Sequence, residues 1–306
     1  MAPERRSRLD ARAVIVLLVC SAIWGVAQVA AKLTLDALPP LLLAGLRSAG
    51  GALLLALWSH ARGLRLFTRD GTAGAGLLAG LLFAAEFACV FIGLQFTSAS
   101  RMSVFLYLAP FVVALGMPLI ARNERLSALQ SLGLVLAFGG VVWAFAEGFV
   151  QPSAGPLQWV GDALGIAGAL FWAGTTLLVR GTRLAVALPE KTLLYQLVVS
   201  AAVLLAASAV TGEEGPRSWS GSVWAVLAFQ IVVVTFASYL AWFWLVRHYP
   251  ATRVSAFTLL TPIFGLLAGV LLLAEPLTVR LVVALLAVCC GIALVNLATR
   301  RAPPRA

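Results

Sequence analysis

Residues 99–111 read ASRMSVFLYLAPF and residues 251–263 read ATRVSAFTLLTPI, so the chain carries one segment twice. Each copy starts with polar residues and continues as an apolar, helix-forming run that contains a proline, Pro110 or Pro262. A proline inside a helix frees a backbone carbonyl and bends the helix axis. Lipid tolerates such a carbonyl only where neighbouring helices or a cavity satisfy it. Both copies are therefore predicted to line an interior.

The composition of the whole chain is that of a membrane protein, because 61% of its 306 residues are hydrophobic and only 11% are charged. Soluble domains are roughly a quarter charged, and about 20 apolar residues cross a bilayer. Ten apolar runs meet this length, at residues 12–33, 40–59, 72–95, 99–121, 128–146, 158–180, 191–211, 222–246, 251–273 and 278–298. We therefore predict an all-α polytopic membrane protein with ten transmembrane helices.

The 22 Lys and Arg residues indicate how these spans are oriented. Seventeen of them fall on one side of the predicted membrane and four on the other, while Arg47 lies inside span two. Cytoplasmic loops carry the excess of positive charge, so both termini are expected in the cytoplasm. The expected location is the plasma (inner) membrane of a bacterium. The net charge of +10 then reflects topology and not nucleic-acid binding.

A second duplicated stretch extends the repeat to the first span of each half. SAIWGVAQVAAKL at 21–33 corresponds to GALFWAGTTLLVR at 168–180, which aligns Trp24 with Trp172. These tryptophans are predicted to lie near the middle of their spans, whereas most intramembrane tryptophans lie in the headgroup region. Paired mid-span tryptophans suit a cavity that stacks aromatic side chains. The alternative is bulk for helix packing, and the sequence leaves both interpretations open.

The two repeats are predicted to be residues 1–150, with spans one to five, and residues 151–306, with spans six to ten. An odd number of spans in each repeat places the two in opposite orientations. Inverted repeats characterise transporters, whose substrate site lies near the midplane between the halves. The duplication therefore predicts one integral membrane unit that works as a carrier.

Glu86 is the one acidic residue well inside a predicted span, and Arg47 lies at a similar depth in the preceding span. An unpaired carboxylate at that depth costs on the order of 3 kcal/mol. The two residues are therefore a candidate intramembrane ion pair. The alternative is a site at which Glu86 titrates or binds the ammonium group of a substrate.

The other candidate substrate-binding residues are polar or aromatic side chains within the apolar spans. Beside Trp24, Trp172 and Glu86 they are Gln28, Tyr107, Thr176, Tyr195, Ser238, Tyr239 and Trp242. Each alone fits an interhelical hydrogen bond. As a group they offer donors, acceptors and aromatic walls to an amino-acid zwitterion. Asp162, at the start of span six, is interpreted as an ordinary helix cap.

These features together resemble the EamA family of the drug/metabolite transporter superfamily. The resemblance rests on five plus five spans, a tryptophan followed by Gly or Ala in spans one and six, a proline in spans four and nine, and the exits NERLS (123–127) and AEPLT (274–278). The GDALGIAGALFWAG opening of span six and the aromatic-rich interior are most similar to the YddG-type exporters of aromatic and neutral amino acids. The resemblance implies export, through a basket of spans one to four and six to nine with spans five and ten at the periphery.

The expected function is secondary transport of small metabolites, chiefly aromatic and neutral amino acids, by alternating access with hinges at Pro110 and Pro262. One alternative is a multidrug exporter of lipophilic or cationic compounds, which Glu86 among aromatic residues would suit. An intramembrane enzyme is disfavoured, because the loops hold no cluster of Asp, His and Lys. The expected partners are a small substrate and the bilayer, without a cofactor, a metal or nucleic acid. The residues leave open the cargo, the coupling to protons or to the substrate gradient, and the oligomeric state.

Overall fold

The computed structural model describes residues 10–66, 68–120, 128–249, 257–258 and 260–301. This part of the chain is helical and contains no strand. Its α-helices are α1 Ala11–Lys32, α2 Pro40–Ala61, α3 Ala73–Gly93, α4 Ala99–Leu106, α5 Ala109–Ile120, α6 Ala128–Val150, α7 Gln158–Gly181, α8 Pro189–Val210, α9 Gly221–Ala228, α10 Tyr239–His248, α11 Leu260–Leu273 and α12 Val279–Arg301. A 3-10 turn, Arg183–Val186, precedes α8, and a π-helical segment, Phe229–Ser238, joins α9 to α10.

Eight helices of the described residues are long and apolar enough to cross a bilayer, which makes the chain a polytopic membrane protein. They are Ala11–Lys32, Pro40–Ala61, Ala73–Gly93, Ala99–Pro118, Ala128–Glu147, Gln158–Gly181, Pro189–Val210 and Gly221–Trp242. Two shorter apolar helices follow, Leu260–Leu273 and Val279–Leu294. The beginning of the predicted ninth span, residues 251–256 and 259, lies outside the described residues. Many large apolar side chains of these helices are exposed, as expected for surfaces that face lipid.

The helices begin where side chains or prolines satisfy the first turn. Asp10 accepts a hydrogen bond from the Ala13 backbone at 2.9 Å, and Ser98 caps α4 through the Arg101 N–H at 3.1 Å. Pro40 is the first residue of α2 and needs no hydrogen-bond acceptor there. These caps fix the ends of α1, α2 and α4 close to the boundaries that hydropathy predicts.

The predicted fourth span is broken into two helices just before its proline. α4 ends at Leu106, and α5 begins at Ala109, with Pro110 as its second residue. Across the break the Leu108 N–H bonds to the Phe105 carbonyl at 3.1 Å, only three residues back. Because Pro110 has no N–H and its ring crowds the preceding turn, the regular ladder cannot run through this point.

The second proline lies in a similar position. Pro262 is the third residue of α11, which starts at Leu260. The Thr261 N–H bonds to the Thr258 carbonyl at 3.1 Å, again a three-residue spacing. Both duplicated segments therefore tighten into a short turn immediately ahead of their prolines.

The predicted eighth span differs from a regular α-helix. Its middle, Phe229–Ser238, is π-helical, and the hydroxyl of Thr235 donates to the carbonyl of Gln230, five residues earlier, at 2.7 Å. Long π-helical runs are rare and often lie at functional sites. Hydropathy gives no sign of this segment, since an apolar run of either helix type has the same composition.

The helices pack in a set of close pairs. α1 packs on α11, α2 on α8, α3 on α7 and α8, and α6 on α12. The α1–α11 contact brings two backbones together, because a Cβ added at Gly25 would lie 2.6 Å from the backbone nitrogen of Gly265. Gly80 on α3 likewise lies against the backbone of α8 at Tyr195. Small residues thus set the interhelical distances, as in other membrane bundles.

Candidate functional site

A group of polar side chains lies inside the bundle, where α2, α3 and the π-helical span meet. We call it the central cluster; it comprises Arg47, Glu86, Thr235 and Tyr239. Arg47 lies seven residues after the start of α2 and Glu86 lies seven residues before the end of α3, which is about 10 Å of helical rise in each case. Arg47 is 5% exposed and Glu86 is 6% exposed. Equal depth in a membrane stays a prediction.

Arg47 is held by the hydroxyls of Thr235 and Tyr239 and by two aromatic rings. Its Nε donates to the hydroxyl of Thr235 at 2.8 Å, and its guanidinium lies 4.0 Å from the ring centroid of Phe87. The Phe91 ring lies farther away, at 5.8 Å, and the Tyr239 hydroxyl stands beside the guanidinium. A cation over aromatic faces is stabilised by the ring quadrupoles. These contacts orient Arg47 without occupying all five of its N–H donors.

Glu86 has no hydrogen-bond or salt-bridge partner among the described residues. No Arg47 nitrogen lies within 4.0 Å of a Glu86 oxygen, so the expected pair is not a direct contact. The carboxylate of Glu86 therefore keeps hydrogen-bond acceptor capacity that no described residue uses.

The predicted aromatic residues form two contacting groups beside the central cluster. Trp24 meets Trp242 edge to face at 5.4 Å and Tyr239 at 6.4 Å, and its indole N–H donates to Ser238 at 2.8 Å. Tyr107 meets Trp172 edge to face at a centroid distance of 5.6 Å. Trp172 and Tyr239 both pack against the same cluster of buried apolar side chains. We refer to Trp24, Tyr107, Trp172, Tyr239 and Trp242 as the aromatic group.

Tyr107 also connects this group to the broken fourth span. It is the residue that ends α4, three positions before Pro110, and it lies beside the side chain of Thr261, which precedes Pro262. α4 packs on α11, so the two tightened turns lie near each other. A change of bend at either proline would therefore move Tyr107.

Among the described residues, three predicted site residues form no hydrogen bond, salt bridge or ring contact with the side chains of this arrangement. Gln28 is half-buried, and the Thr176 hydroxyl bonds within its own helix to the Trp172 carbonyl at 3.0 Å. Tyr195 lies at the other end of the bundle, with its hydroxyl 3.4 Å from that of Thr72. Lys191 lies over the Tyr195 ring and forms a 2.7 Å salt bridge with Asp70.

The most extensive polar network was not anticipated from the sequence. Arg101, which is 1% exposed, bonds through Nε and Nη2 to the Asp162 carboxylate and through Nη1 to Glu147 at 2.7 Å. Thr97 donates to Asp162 at 2.6 Å, and Thr278 donates to Glu147 at 2.9 Å. This Arg101 network joins α4, α6, α7 and the start of α12.

Two interpretations of individual residues need correction here. Asp162 is not the cap of α7: the capping position is Leu157, and Asp162 is the fifth helical residue, turned toward Arg101. Glu147 was placed just beyond span five, yet α6 continues to Val150 and buries it. The only hint in the sequence is a basic residue at the polar start of a duplicated segment; its acidic partners are 46 and 61 residues away.

Glu275 closes the same end of the bundle. Its carboxylate accepts hydrogen bonds from the Ala99 and Ser100 backbones at 2.7 and 2.9 Å and from the Ser100 hydroxyl at 2.6 Å. An anion at a helix N-terminus is favoured by the exposed N–H groups and the helix dipole. The N-terminal half of span four is therefore clamped from two sides, by Glu275 and by the Arg101 network.

A pocket opens at this end, where α1 leads into α2. It has a volume of about 640 Å³ and is lined by charges of both signs, among them Lys32, Asp36, Glu213 and Arg217. Glu213 also caps α2, accepting from the Leu41 backbone at 3.0 Å. Lys32 lies two helical turns from Trp24 on α1, so the pocket and the aromatic group share a helix.

Comparison with known proteins gives a consistent picture. The sequence model of the EamA-like transporter family matches residues 11–146 and 159–297. The "Uncharacterized transporter YvbV" of Bacillus subtilis (strain 168) is 30% identical over 89% of this chain and 88% of its own length. The "Probable amino-acid metabolite efflux pump" of Escherichia coli (strain K12) is 25% identical over 86% of this chain and 88% of its own.

A solved crystal structure shares the fold. It superimposes with a TM-score of 0.67, covering 97% of this chain and all of the other chain, at 18% sequence identity. The relatives and the family are named as transporters, which agrees with a membrane-embedded interior and not with an enzyme.

Proposed function

Because the chain belongs to the EamA-like transporter family, we propose that it is a secondary transporter that exports small metabolites, chiefly aromatic and neutral amino acids, by alternating access. The observation that carries this proposal is the aromatic group beside the broken fourth span. Trp24, Tyr107, Trp172, Tyr239 and Trp242 come from four different spans, and Tyr239 also belongs to the central cluster. Aromatic walls with a few polar groups are what a site for such side chains needs.

The helix packing supports ten spans in two inverted repeats, residues 1–150 and 151–306. If spans one to five correspond to spans six to ten, each span of the first repeat has an equivalent in the second. A contact between two spans of different repeats should then recur between their two equivalents. Span one packs on span nine (α1 on α11) as span six does on span four (α7 on α4 and α5). Span three packs on span seven (α3 on α8) as span eight does on span two (the π segment on α2).

Spans that are equivalent to each other in the two repeats also form contacts. Spans two and seven, four and nine, and five and ten pack on each other, as α2 on α8, α4 on α11 and α6 on α12. The last pair contacts few other helices, which suits a peripheral position. In this arrangement both termini lie in the cytoplasm of a bacterial cell, whose inner membrane holds the protein. Accessibility mapping of single cysteines at Gly63 and Gly212 would test it, since the scheme puts these positions on opposite sides.

Alternating access assigns hinges to Pro110 and Pro262. The tightened turns ahead of both prolines lack the regular hydrogen bonds that resist bending. The clamp at the start of α4 holds one end of span four, so bending would move its other half, α5. Transporters of this type rock one part of the bundle against another around a fixed site.

Uptake into proteoliposomes tests the function directly. Purified protein should move labelled phenylalanine, with competition by neutral amino acids and weaker competition by arginine or lipophilic cations. Trp24→Leu should reduce phenylalanine uptake several-fold, up to about tenfold, through lost ring contacts. Trp143→Leu is the matched control, because Trp143 is exposed on the peripheral α6 and should leave uptake unchanged.

One observation favours a second candidate, a multidrug exporter of lipophilic cations. Glu86 has no hydrogen-bonding or ionic partner among the described residues and follows Phe83 on α3, whose ring contacts that of Phe87 at 4.6 Å; such a carboxylate attracts a cation. The same liposomes distinguish the candidates: a multidrug exporter would take up a lipophilic cation in preference to phenylalanine.

A further inference from the structure

We infer that Arg47 and Glu86 together read the two charges of an α-amino acid, with Arg47 binding the carboxylate and Glu86 binding the ammonium group. This inference rests on the proposed transport of small metabolites and specifies the chemistry that the carrier recognises. It assigns the central cluster as a dipolar site in which the ligand fills the gap between two opposite charges.

Arg47 has the geometry of a carboxylate anchor. Thr235 holds Nε at 2.8 Å and the Phe87 face lies 4.0 Å from the guanidinium carbon, so the plane of the side chain is fixed. A fixed guanidinium presents its remaining N–H groups as a planar fork that matches two carboxylate oxygens. The aromatic faces exclude water and strengthen the interaction.

Glu86 requires hydrogen-bond donors, which complements the carboxylate-binding role of Arg47. It is 6% exposed, and among the described residues no donor or cation lies within bonding distance of its oxygens. The other buried carboxylates of the described residues have partners: Asp162 and Glu147 bind Arg101, and Glu275 binds backbone N–H groups. A buried carboxylate without a partner is expensive and marks a functional site. A primary ammonium supplies the missing donors.

The charge balance selects a zwitterion over other cargo. Arg47 and Glu86 carry opposite formal charges within one buried cluster. A lipophilic cation would meet Arg47 as a like charge, and an organic anion would meet Glu86 as one. A ligand that carries both charges, such as an α-amino acid, satisfies both ends at once. Its side chain is left to the neighbouring aromatic group.

The hydroxyl groups of Tyr239 and Thr235 agree with the assignment of Arg47 and Glu86 as the groups that bind an amino acid. Tyr239 stands beside Arg47 and also contacts Trp24 at 6.4 Å, so one residue borders both the polar and the aromatic parts. Thr235 is a positioning residue, since it holds Arg47 from the π-helical segment. A regular helix would not place its hydroxyl against the carbonyl five residues back.

The test compares three ligands that differ only at the charged end. Proteoliposomes holding the full chain are assayed for uptake of phenylalanine, of phenethylamine, which lacks the carboxylate, and of 3-phenylpropanoate, which lacks the ammonium group. The wild type should prefer phenylalanine to either analogue by at least about tenfold, the loss expected when a site's polar group is left unpaired. In Glu86→Gln, the preference for phenylalanine over 3-phenylpropanoate should disappear and the preference for phenylalanine over phenethylamine should remain. In Arg47→Gln, the preference over phenethylamine should disappear and the preference over 3-phenylpropanoate should remain.

Further variants separate recognition from folding. Arg47→Lys keeps the charge and loses the planar fork, so it should restore only part of the discrimination. If a variant does not fold, the wild-type ratios decide, because equal uptake of phenylalanine and phenethylamine would overturn the inference. Equal weakening of all three ligands in both variants would also overturn it and indicate a structural pair.

The same measurements distinguish failure of this inference from failure of the proposed function. If the wild type transports phenylalanine but the relative uptake rates of the three ligands are the same in the wild type and all variants, the proposed transport holds and the assignment of Arg47 and Glu86 is wrong. If the wild type moves none of the amino acids, the proposed cargo fails, and with it this inference.

Discussion

Arg101 and Asp162 form a two-point salt bridge inside the bundle, with Nε 3.1 Å from one carboxylate oxygen and Nη2 2.6 Å from the other. Arg101 adds a bond to Glu147 and one from Nη2 to the Ala144 carbonyl at 2.6 Å. Two carboxylates thus share one fully buried guanidinium. Removal of a single partner leaves charges in a place where water cannot solvate them.

We expect Asp162→Asn to destabilise the protein strongly. The substitution keeps the side-chain shape but leaves Arg101 with half of its ionic partners, and breaking a buried pair costs about 3 kcal/mol or more. The apparent melting temperature in detergent measures the effect. Glu214→Gln, at an exposed carboxylate, should leave it unchanged; an equal loss in both variants would show that the network is not special.

The salt bridge between Asp70 and Lys191 should give a defined pH dependence. The hydrogen bond from Lys191, followed by that from Thr72, holds the pKa of Asp70 well below its usual value. A lowered folded-state pKa contributes stability above the unfolded-state pKa of about 3.9, and that stability disappears as the pH falls toward the folded value.

The difference in melting temperature between wild type and Asp70→Asn should therefore be constant from about pH 5 to 8 and shrink below about pH 4. Asp36→Asn, at an exposed position outside this salt bridge, serves as the control. A difference that grows on acidification would mean that Asp70 is not stabilised as an anion.

Pro110→Ala should reduce transport while leaving the protein folded and inserted. Alanine restores the N–H and removes the ring, so α4 and α5 can join into one stiffer helix that resists the bend. Initial uptake rates in proteoliposomes, scaled to inserted protein, measure the effect. Pro118→Ala is the matched control within α5. Normal flux in the Pro110 variant would remove the hinge from the mechanism.

Gly25→Ala should separate α1 from α11. The new methyl would lie 2.6 Å from the Gly265 backbone nitrogen, and backbone atoms cannot move aside as a flexible side chain can. Overpacking of this kind costs about 1–3 kcal/mol. A lower melting temperature is expected, together with slower uptake.

Gly139→Ala is the comparison for that variant, because an added Cβ at Gly139 meets nothing within 4 Å. Alanine in an exposed helical position should raise stability by up to about 1 kcal/mol. The opposite signs of the two Gly→Ala effects distinguish crowding at Gly25 from a general loss of helix flexibility.

The sequence predicts the helices well, because hydropathy depends on local composition. The apolar run predicted at 40–59 corresponds to the helix Pro40–Ala61. The run predicted at 191–211 corresponds to Pro189–Val210 and extends only one residue beyond the end of that helix. The break ahead of Pro110 follows from proline chemistry in the same local way. The number of spans and the inverted arrangement remain predictions, since they depend on how helices are placed relative to a membrane.

The polar contacts are much less accessible to such reasoning. Arg101 meets Glu147 and Asp162 because three helix ends converge, and no local pattern encodes that convergence. The contact between Arg47 and Thr235 spans 188 residues and depends on the π-helical register. Tyr195 is polar within an apolar run, and the residues that it contacts, Lys191 and Thr72, could not be inferred from that run.

The π-helical segment of the eighth span has a mechanical consequence. A π turn contains more residues than an α turn. Conversion of part of Phe229–Ser238 from π-helix to α-helix would therefore rotate α10 about its own axis while α9 stays fixed. Tyr239 and Trp242 begin α10 and would swing past Trp24 as it turned. Such a rotation would turn a different face of the eighth span toward the interior while every helix stays in its place.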